Sequence, residues 1–376
     1  GDNPERLALL EKQYRYLGNQ TCAGDGLCSM SCPMGINTGD LTHLVRQHLL
    51  PPDSQGYKLG NYAARHFAGI KNTLRPVLTL AHAVLGTAAM SKLTRGMHNL
   101  LGIPQWTPAM PKAYKMKHEE RKMENSQKAE ENEASLKVVY FPSCINQTMG
   151  LARKSPVEQA LVNKMVALLH KAGYEVIFPK NMEKLCCGTI WESKGMMDIA
   201  DRKTRELEEA LWEASRQGRY PVLCDQSPCL HRMRETIRRM KLYEPAEFIY
   251  TFLRPRLVFK PIDRPVALHI TCSMRKMGLA DTLVALARLC STQVFVPEEV
   301  GCCGFAGDRG FTHPELNAYA LRKLRPQIEE RNIQPHLRNR PDDKLRHSVC
   351  VDSLPGGRMY GSSNPKLKEK TSWKNK

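Results

Sequence analysis

The sequence predicts a mixed fold: an α-helical, cysteine-bearing domain, then two α/β (βαβ) cysteine-rich repeats. Three observations predict it. The first 60 residues read as helical background around one cysteine group. From Leu136 onward, short apolar runs alternate with amphipathic stretches. A Cys-Cys-Gly triplet, each with a cysteine at an earlier strand end, occurs twice in that region, at Cys186 and at Cys302.

Within residues 1–60 the stretch Thr21–Asn37 reads TCAGDGLCSMSCPMGIN. A four-iron ferredoxin run is Cys-x2-Cys-x2-Cys-x3-Cys-Pro. Cys22, Cys28, Cys32 and Pro33 fall on that frame, and Asp25 holds the second cysteine position. A hard carboxylate can complete an iron site, more weakly than thiolate, and such a cluster would lose that iron readily. The alternative is that Asp25 caps a turn and the fourth ligand comes from elsewhere. The single run excludes a two-cluster ferredoxin.

Residues 61–135 contain RPVLTLAHAVLGTAAMSKL, interrupted by His82 and flanked by Arg75 and Lys92. It falls short of the roughly 20 apolar residues that span a bilayer. A buried helix is expected, with an interfacial helix as the alternative. Residues 117–135 have no apolar face and read as a charged linker.

Residues 136–260 begin with the strand LKVVYF. Ser155-Pro156-Val157-Glu158 then reads as a capping box, followed by a helix to Gly173 and the strand YEVIF. Residues 261–335 repeat the grammar: VALHI, a helix through DTLVALARLC, the strand QVFVP, and a cap at Thr312-His313-Pro314-Glu315. The first repeat carries Cys144, Cys186, Cys187, Cys224 and Cys229; the second carries Cys272, Cys302 and Cys303. Each pair runs on into an acid, a base and a glycine, Glu192-Ser193-Lys194-Gly195 and Asp308-Arg309-Gly310. Matching context at that spacing points to duplication. Thiolates on loops beyond strand ends can converge, and a glycine after the pair lets backbone pass close to a cluster. Four thiolates suit iron–sulfur and zinc alike. Cys290 stands apart in an apolar helical pattern and reads as core.

Thirteen cysteines without a signal-peptide pattern point to metal or redox chemistry rather than disulfides. A cytoplasmic location is therefore expected. The net charge of +18 carries no nucleic-acid motif with it, so no nucleic-acid partner is expected. Positive charge between Arg65 and Lys117, and ten Lys/Arg against four Asp/Glu from His336 to Lys376, suit a peripheral contact with anionic lipid.

With these motifs on the page, the chain resembles the iron–sulfur part of FAD-linked D-lactate dehydrogenases of the quinone- or cytochrome-reducing kind. It is similar also to the iron–sulfur subunit of glycolate oxidase and, in the CCG repeat, to heterodisulfide reductases. CAGDGLCSMSCPMGINTGDL, FPSCINQTMG, CCGTIWESKG, CDQSPC and GCCGFAGDRGFTHPELNAYALRKLRPQIEE carry the likeness. The resemblance implies an α-helical ferredoxin-like domain with a 4Fe-4S cluster, followed by two CCG domains holding further iron–sulfur or zinc. It implies FAD in an upstream dehydrogenase domain or subunit, and a quinone or cytochrome as acceptor. A chain starting at Gly1 is expected to begin inside a longer polypeptide. Electron relay is the implied role, thiol–disulfide reduction the alternative, and contact with the cytoplasmic face of the inner membrane the implied setting. The second unit should close with another cysteine, and Cys350 lies in a polar tail without strand–helix grammar. That tail, 336–376, is expected to be disordered and a frameshifted reading that starts near residues 332–336.

Overall fold

The computed structural model describes residues 3–101, 111–113, 136–152, 159–305 and 309–331. The tail with Cys350, the linker 117–135 and the capping box 155–158 lie outside the described residues.

The N-terminal part is helical, and its caps are legible in the sequence. Helix α1 (Pro4–Tyr14) starts on Asn3, whose side chain accepts from Arg6 N at 2.9 Å. A short α2 (Leu27–Ser31) precedes α3 (Thr38–Leu49), where Asn37 Oδ1 accepts from Gly39 N at 3.0 Å. Ser54 caps α4 (Gln55–Arg65). Such side-chain acceptors satisfy amides that have no partner in a first helical turn.

Helix α5 (Phe67–Leu101) corrects the expectation of a buried helix. Val84 is 75% exposed and Leu80 67%, whereas His82 and Met90 are buried. Apolar residues surround this helix on every side, so one packed face leaves the others bare. A 114° bend at Gly86, whose φ is +68°, divides it. Among the described residues no single helix is long and apolar enough to cross a membrane, although the two arms of α5 pass that test together by length and composition.

A short strand β1 (Pro111–Ala113) pairs antiparallel with β3 (Met149–Ala152). The first repeat builds a parallel sheet of β2 (Leu136–Phe141), β4 (Tyr174–Ile177), β5 (Val222–Cys224) and β6 (Leu242–Tyr243), in the order β4-β2-β5-β6. Val138 to Phe141 are all buried, as expected of a strand covered on both faces. The chain leaves β2 for one edge, then crosses back to lay β5 on its other side. The crevice beyond the carboxyl ends of β2 and β5 is thus a topological switch point, where open α/β sheets bind ligands.

The second repeat gives β7 (Ile262–Ala267) and β8 (Ser291–Phe295), parallel, with helix Ala280–Cys290 between them. Cys290 ends that helix half-buried. One core runs through both repeats, from Leu207, Leu230 and Met233 into Met274, Leu283 and Leu286.

Two helix starts differ from expectation. The first repeat's helix is Leu161–Lys171, beginning on an extended Ala160. In the second, His313 rather than Thr312 precedes the helix Pro314–Ala320. Glu315 accepts instead from the Tyr16 hydroxyl at 2.9 Å, and Thr312 Oγ1 pairs with His313 Nδ1 at 2.9 Å. A tertiary partner has displaced the local capping box.

Candidate metal centre

Cys144 follows β2 by the turn Pro142-Ser143 and is the first residue of helix Cys144–Thr148. Ser143 caps that helix, accepting from Asn146 N at 3.4 Å. The turn is fixed from across the switch point. Asp225, just after β5, accepts from Ser143 N at 2.8 Å and from the Tyr140 hydroxyl at 2.8 Å. Burial pushes its carboxyl up and those donors oppose the shift.

Four thiols of the first unit influence one another in a chain of pairwise interactions. Cys186 is hydrogen-bonded to Cys144 and Cys187, and Cys229 to Cys187. Donation from Cys186 and Cys229 holds Cys187 well below the ordinary thiol value. Those contacts, with burial, push Cys186 and Cys229 well above it. Cys144 is lowered by Cys186, and Lys71 of α5 adds positive charge beside it. Cys224 stays out of this chain: its Sγ faces Gln226 O at 3.9 Å, and burial raises it well above the ordinary value.

The Cys-Cys-Gly turn is held through its backbone. Cys187 O accepts from Thr204 Oγ1 at 2.8 Å and from Arg232 Nε at 3.0 Å. Arg232 also pairs with Glu192 and, at 2.7 Å, with Asp201. Gly188 has φ +90°, and a Cβ there would lie 2.4 Å from Ala200 O. In the second unit a Cβ on Gly304 (φ +67°) would lie 2.8 Å from Leu316 O. Each glycine is thus required by close approach to a helix carbonyl, where the sequence suggested close approach to a cluster.

The second unit repeats the geometry. Thr271 accepts from Met274 N at 3.3 Å and caps the helix Cys272–Lys276, as Ser143 does ahead of Cys144. Cys302 is hydrogen-bonded to both Cys272 and Cys303, which lower it, while the same contacts raise those two. Asn317 Nδ2 donates to Cys303 O at 2.6 Å, matching the part of Thr204.

The N-terminal cysteines are set apart. Cys22 Sγ accepts from Gly24 N at 3.4 Å. Cys28 is exposed and accepts from Thr38 Oγ1 at 3.2 Å; that hydroxyl and the amides of Thr38 and Gly39 lower its thiol. Cys32 is half-buried. Cys32 N donates to Cys28 O at 3.0 Å, and among the described residues no side-chain hydrogen bond joins these three. Asp25 faces elsewhere: Oδ1 accepts from Leu27 N at 3.2 Å, and Oδ2 lies 3.3 Å from Cys302 Sγ. Burial first, then the negative charge of Cys302, pushes the carboxyl up to about 6.

Two arginines dock this loop. Buried Arg46 of α3 donates to Asn19 O, to Cys22 O at 2.9 Å and to Ser193 O at 3.0 Å. Arg309, just beyond the second Cys-Cys-Gly, donates to Gln20 O. The segments after both cysteine pairs therefore grip one N-terminal loop.

Among the described residues no three His, Cys, Asp or Glu side chains surround a common point with metal-ligating geometry. The thiols interact pairwise instead. The donor chemistry nevertheless fits a thiolate-bound group, with contiguous thiols on strand-end loops and an orphaned imidazole beside them. Both ring nitrogens of His269 are buried without a hydrogen-bond partner. Sequence reasoning missed Asp225, Arg232, Thr204, Asn317, Arg46 and His269. The motif CDQSPC contains Asp225, and a polar residue between two cysteines at a strand end was the available signal; His269 lies in the run VALHI three residues before Cys272, and the others act from distant helices.

Residues 138–234 and 266–335 match the family model of the cysteine-rich domain, CCG. No curated protein and no solved structure was found to match the chain. The two matched stretches coincide with the two thiol groups and their flanking strands, and each is similar to the cysteine-rich domain of the CCG type.

Proposed function

We propose that the chain is the electron-transfer module of a flavin-dependent D-2-hydroxyacid dehydrogenase, passing electrons from FAD on a partner domain or subunit to a quinone or cytochrome. The observation that carries this reading is the contact between Asp25 and Cys302 at 3.3 Å, which joins the N-terminal cysteine loop to the second thiol group. A relay needs its redox groups within one continuous packed body. Clusters bound at these thiols would supply one-electron redox capacity. The protein's own residues hold the loops: Asp225 fixes the Cys144 turn, Thr204 and Arg232 fix Cys187, and Asn317 fixes Cys303. Lys71, near Cys144 and Cys186, offsets thiolate charge. Burial of Cys186 and Cys187 disfavours the thiol–disulfide alternative, because a disulfide substrate must reach the attacking sulfur.

A membrane-side acceptor is supported by α5, whose exposed Leu80 and Val84 lie on a helix that also bears Arg75 and Lys92. The test is anaerobic stopped-flow mixing of the metal-loaded chain with a photoreduced flavin, then with a soluble quinone or a cytochrome. Bleaching of the visible band by the flavin, and its recovery with the acceptor, is expected. A chain whose band does not respond to the flavin, or which turns over a disulfide instead, would sink this reading.

A further inference from the structure

The two thiol groups differ in their fourth donor. The first unit draws Cys229 from the helix after β5. The described part of the second unit contributes Cys272, Cys302 and Cys303, and the neighbour that reaches Cys302 from outside the unit is the carboxylate of Asp25, at 3.3 Å. That placement is built. Gly24 and Gly26 flank Asp25 with φ of +63° and +68°, a tight loop that side-chain-bearing residues rarely adopt. Leu27 N orients Oδ1, and Arg309 of the second unit itself holds the loop through Gln20 O.

A second observation points to the same place. Three residues before the first cysteine, the first unit has Phe141, which is buried in the core, and the second has His269. Both His269 ring nitrogens are buried with no hydrogen-bond partner, and the ring lies within electrostatic reach of Cys302. A buried, unpaired imidazole costs folding free energy unless a bound group uses it.

We propose that Asp25 serves the second CCG unit rather than the N-terminal cysteine run, completing Cys272, Cys302 and Cys303 into a three-thiolate, one-carboxylate metal centre with His269 as its polar neighbour. The inference rests on the reading that the CCG units hold metal. A carboxylate is harder and binds soft metals more weakly than thiolate, so this centre is the more labile of the two. It also ties metal binding to the seating of the N-terminal domain.

The test uses the full chain purified anaerobically, with iron, sulfide and zinc counted per chain; these counts distinguish a cluster from zinc. The demetallated chain is then titrated with Co2+ as the probe, and folding is followed by circular dichroism. Cys302→Ser identifies the second-unit site and Cys28→Ser the N-terminal one. Asp25→Ala is expected to weaken Co2+ at the Cys302-dependent site by about 10–100-fold and to spare the Cys28-dependent signal. His269→Phe is expected to weaken the same site to a smaller degree. Asp25→Cys, which keeps a donor in place should the alanine variant fail to fold, is expected to add a sulfur-to-cobalt band at the Cys302-dependent site. If the Asp25 variants change only the Cys28-dependent signal, or change neither, the proposal falls while the metal reading stands. If Cys302→Ser leaves metal content and Co2+ binding unchanged, the metal reading of this unit falls, and the proposal with it.

Discussion

Arg232 Nε donates to the carbonyl of Cys187 at 3.0 Å from the helix that also carries Cys229. One buried guanidinium therefore ties the cysteine pair to the helix that supplies the fourth thiol. Its remaining nitrogens reach Glu192 and Asp201, so the cation enters the core already paired. Buried charges persist only when partnered in this way.

Replacing it should be severe. Arg232→Met leaves the Cys187 carbonyl short of one donor and the half-buried Glu192 without its cation. A loss of about 3–5 kcal/mol in urea unfolding is expected, the usual range for breaking a buried ion pair from one side. Arg232→Lys should recover only part of it, because one ammonium cannot reproduce the forked contacts. A loss under about 1 kcal/mol would mean that the pairing is dispensable.

Cys229 and Cys224 should separate cleanly. Cys229 lies in the thiol chain and Cys224 faces a backbone carbonyl. Cys229→Ser is expected to lower the metal bound per chain, whereas Cys224→Ala should leave that count intact at a modest cost in stability. Metal analysis of the two variants decides it, and the reverse pattern would reassign the fourth ligand.

Asp225 is a positioning residue with a measurable role. Asp225→Ala frees the Ser143 amide and the Tyr140 hydroxyl, both buried, at about 1–3 kcal/mol for each unsatisfied group. Asp225→Asn keeps one acceptor and should restore part of the stability. Faster amide exchange confined to residues 142–146 would report the loosened turn; exchange unchanged there would rule the role out.

Arg46 should control how the N-terminal loop is seated. Arg46→Met removes donors to carbonyls of Asn19, Cys22 and Ser193 together. Amide exchange across residues 19–26 is expected to rise by an order of magnitude or more, since each such bond to a charged donor is worth about 1.5–3 kcal/mol. Protection equal to wild type would show that Arg309 alone suffices.

Glu244 gives a pH dependence with a definite sign. It is buried, accepts from Ala246 N at 2.5 Å and from Ser227 Oγ at 3.2 Å, and burial pushes it up to about 7 from an ordinary 4.5. Folding thus favours its protonated form. Its contribution is fully present below pH 4.5 and is lost as pH rises through 7, a change of about 3 kcal/mol at 1.36 kcal/mol per unit. In Glu244→Gln this component of the pH slope should vanish, leaving the variant more stable than wild type at pH 8. Unfolding curves at pH 5 and pH 8 give the answer.

The sequence by itself determined the elements whose causes are local. Asn3, Asn37 and Ser54 cap helices because a short polar side chain can reach the amides two or three residues on. The apolar run Val138–Phe141 announces a strand covered on both faces, and the repeated Cys-Cys-Gly marks both units. Only the tertiary structure decided where Asp25 points. Its neighbour Cys302 is 277 residues away in the chain, and no local pattern encodes a contact made by docking two domains. The same holds for Arg46 and Arg232, whose charges look like ordinary surface residues until the fold buries them against distant carbonyls. It holds also for α5, where composition suggested burial, because burial depends on which surfaces the rest of the chain supplies. Short-range hydrogen bonding and periodicity are written in neighbouring residues; the choice among distant partners is made only when the core closes and water is removed from them.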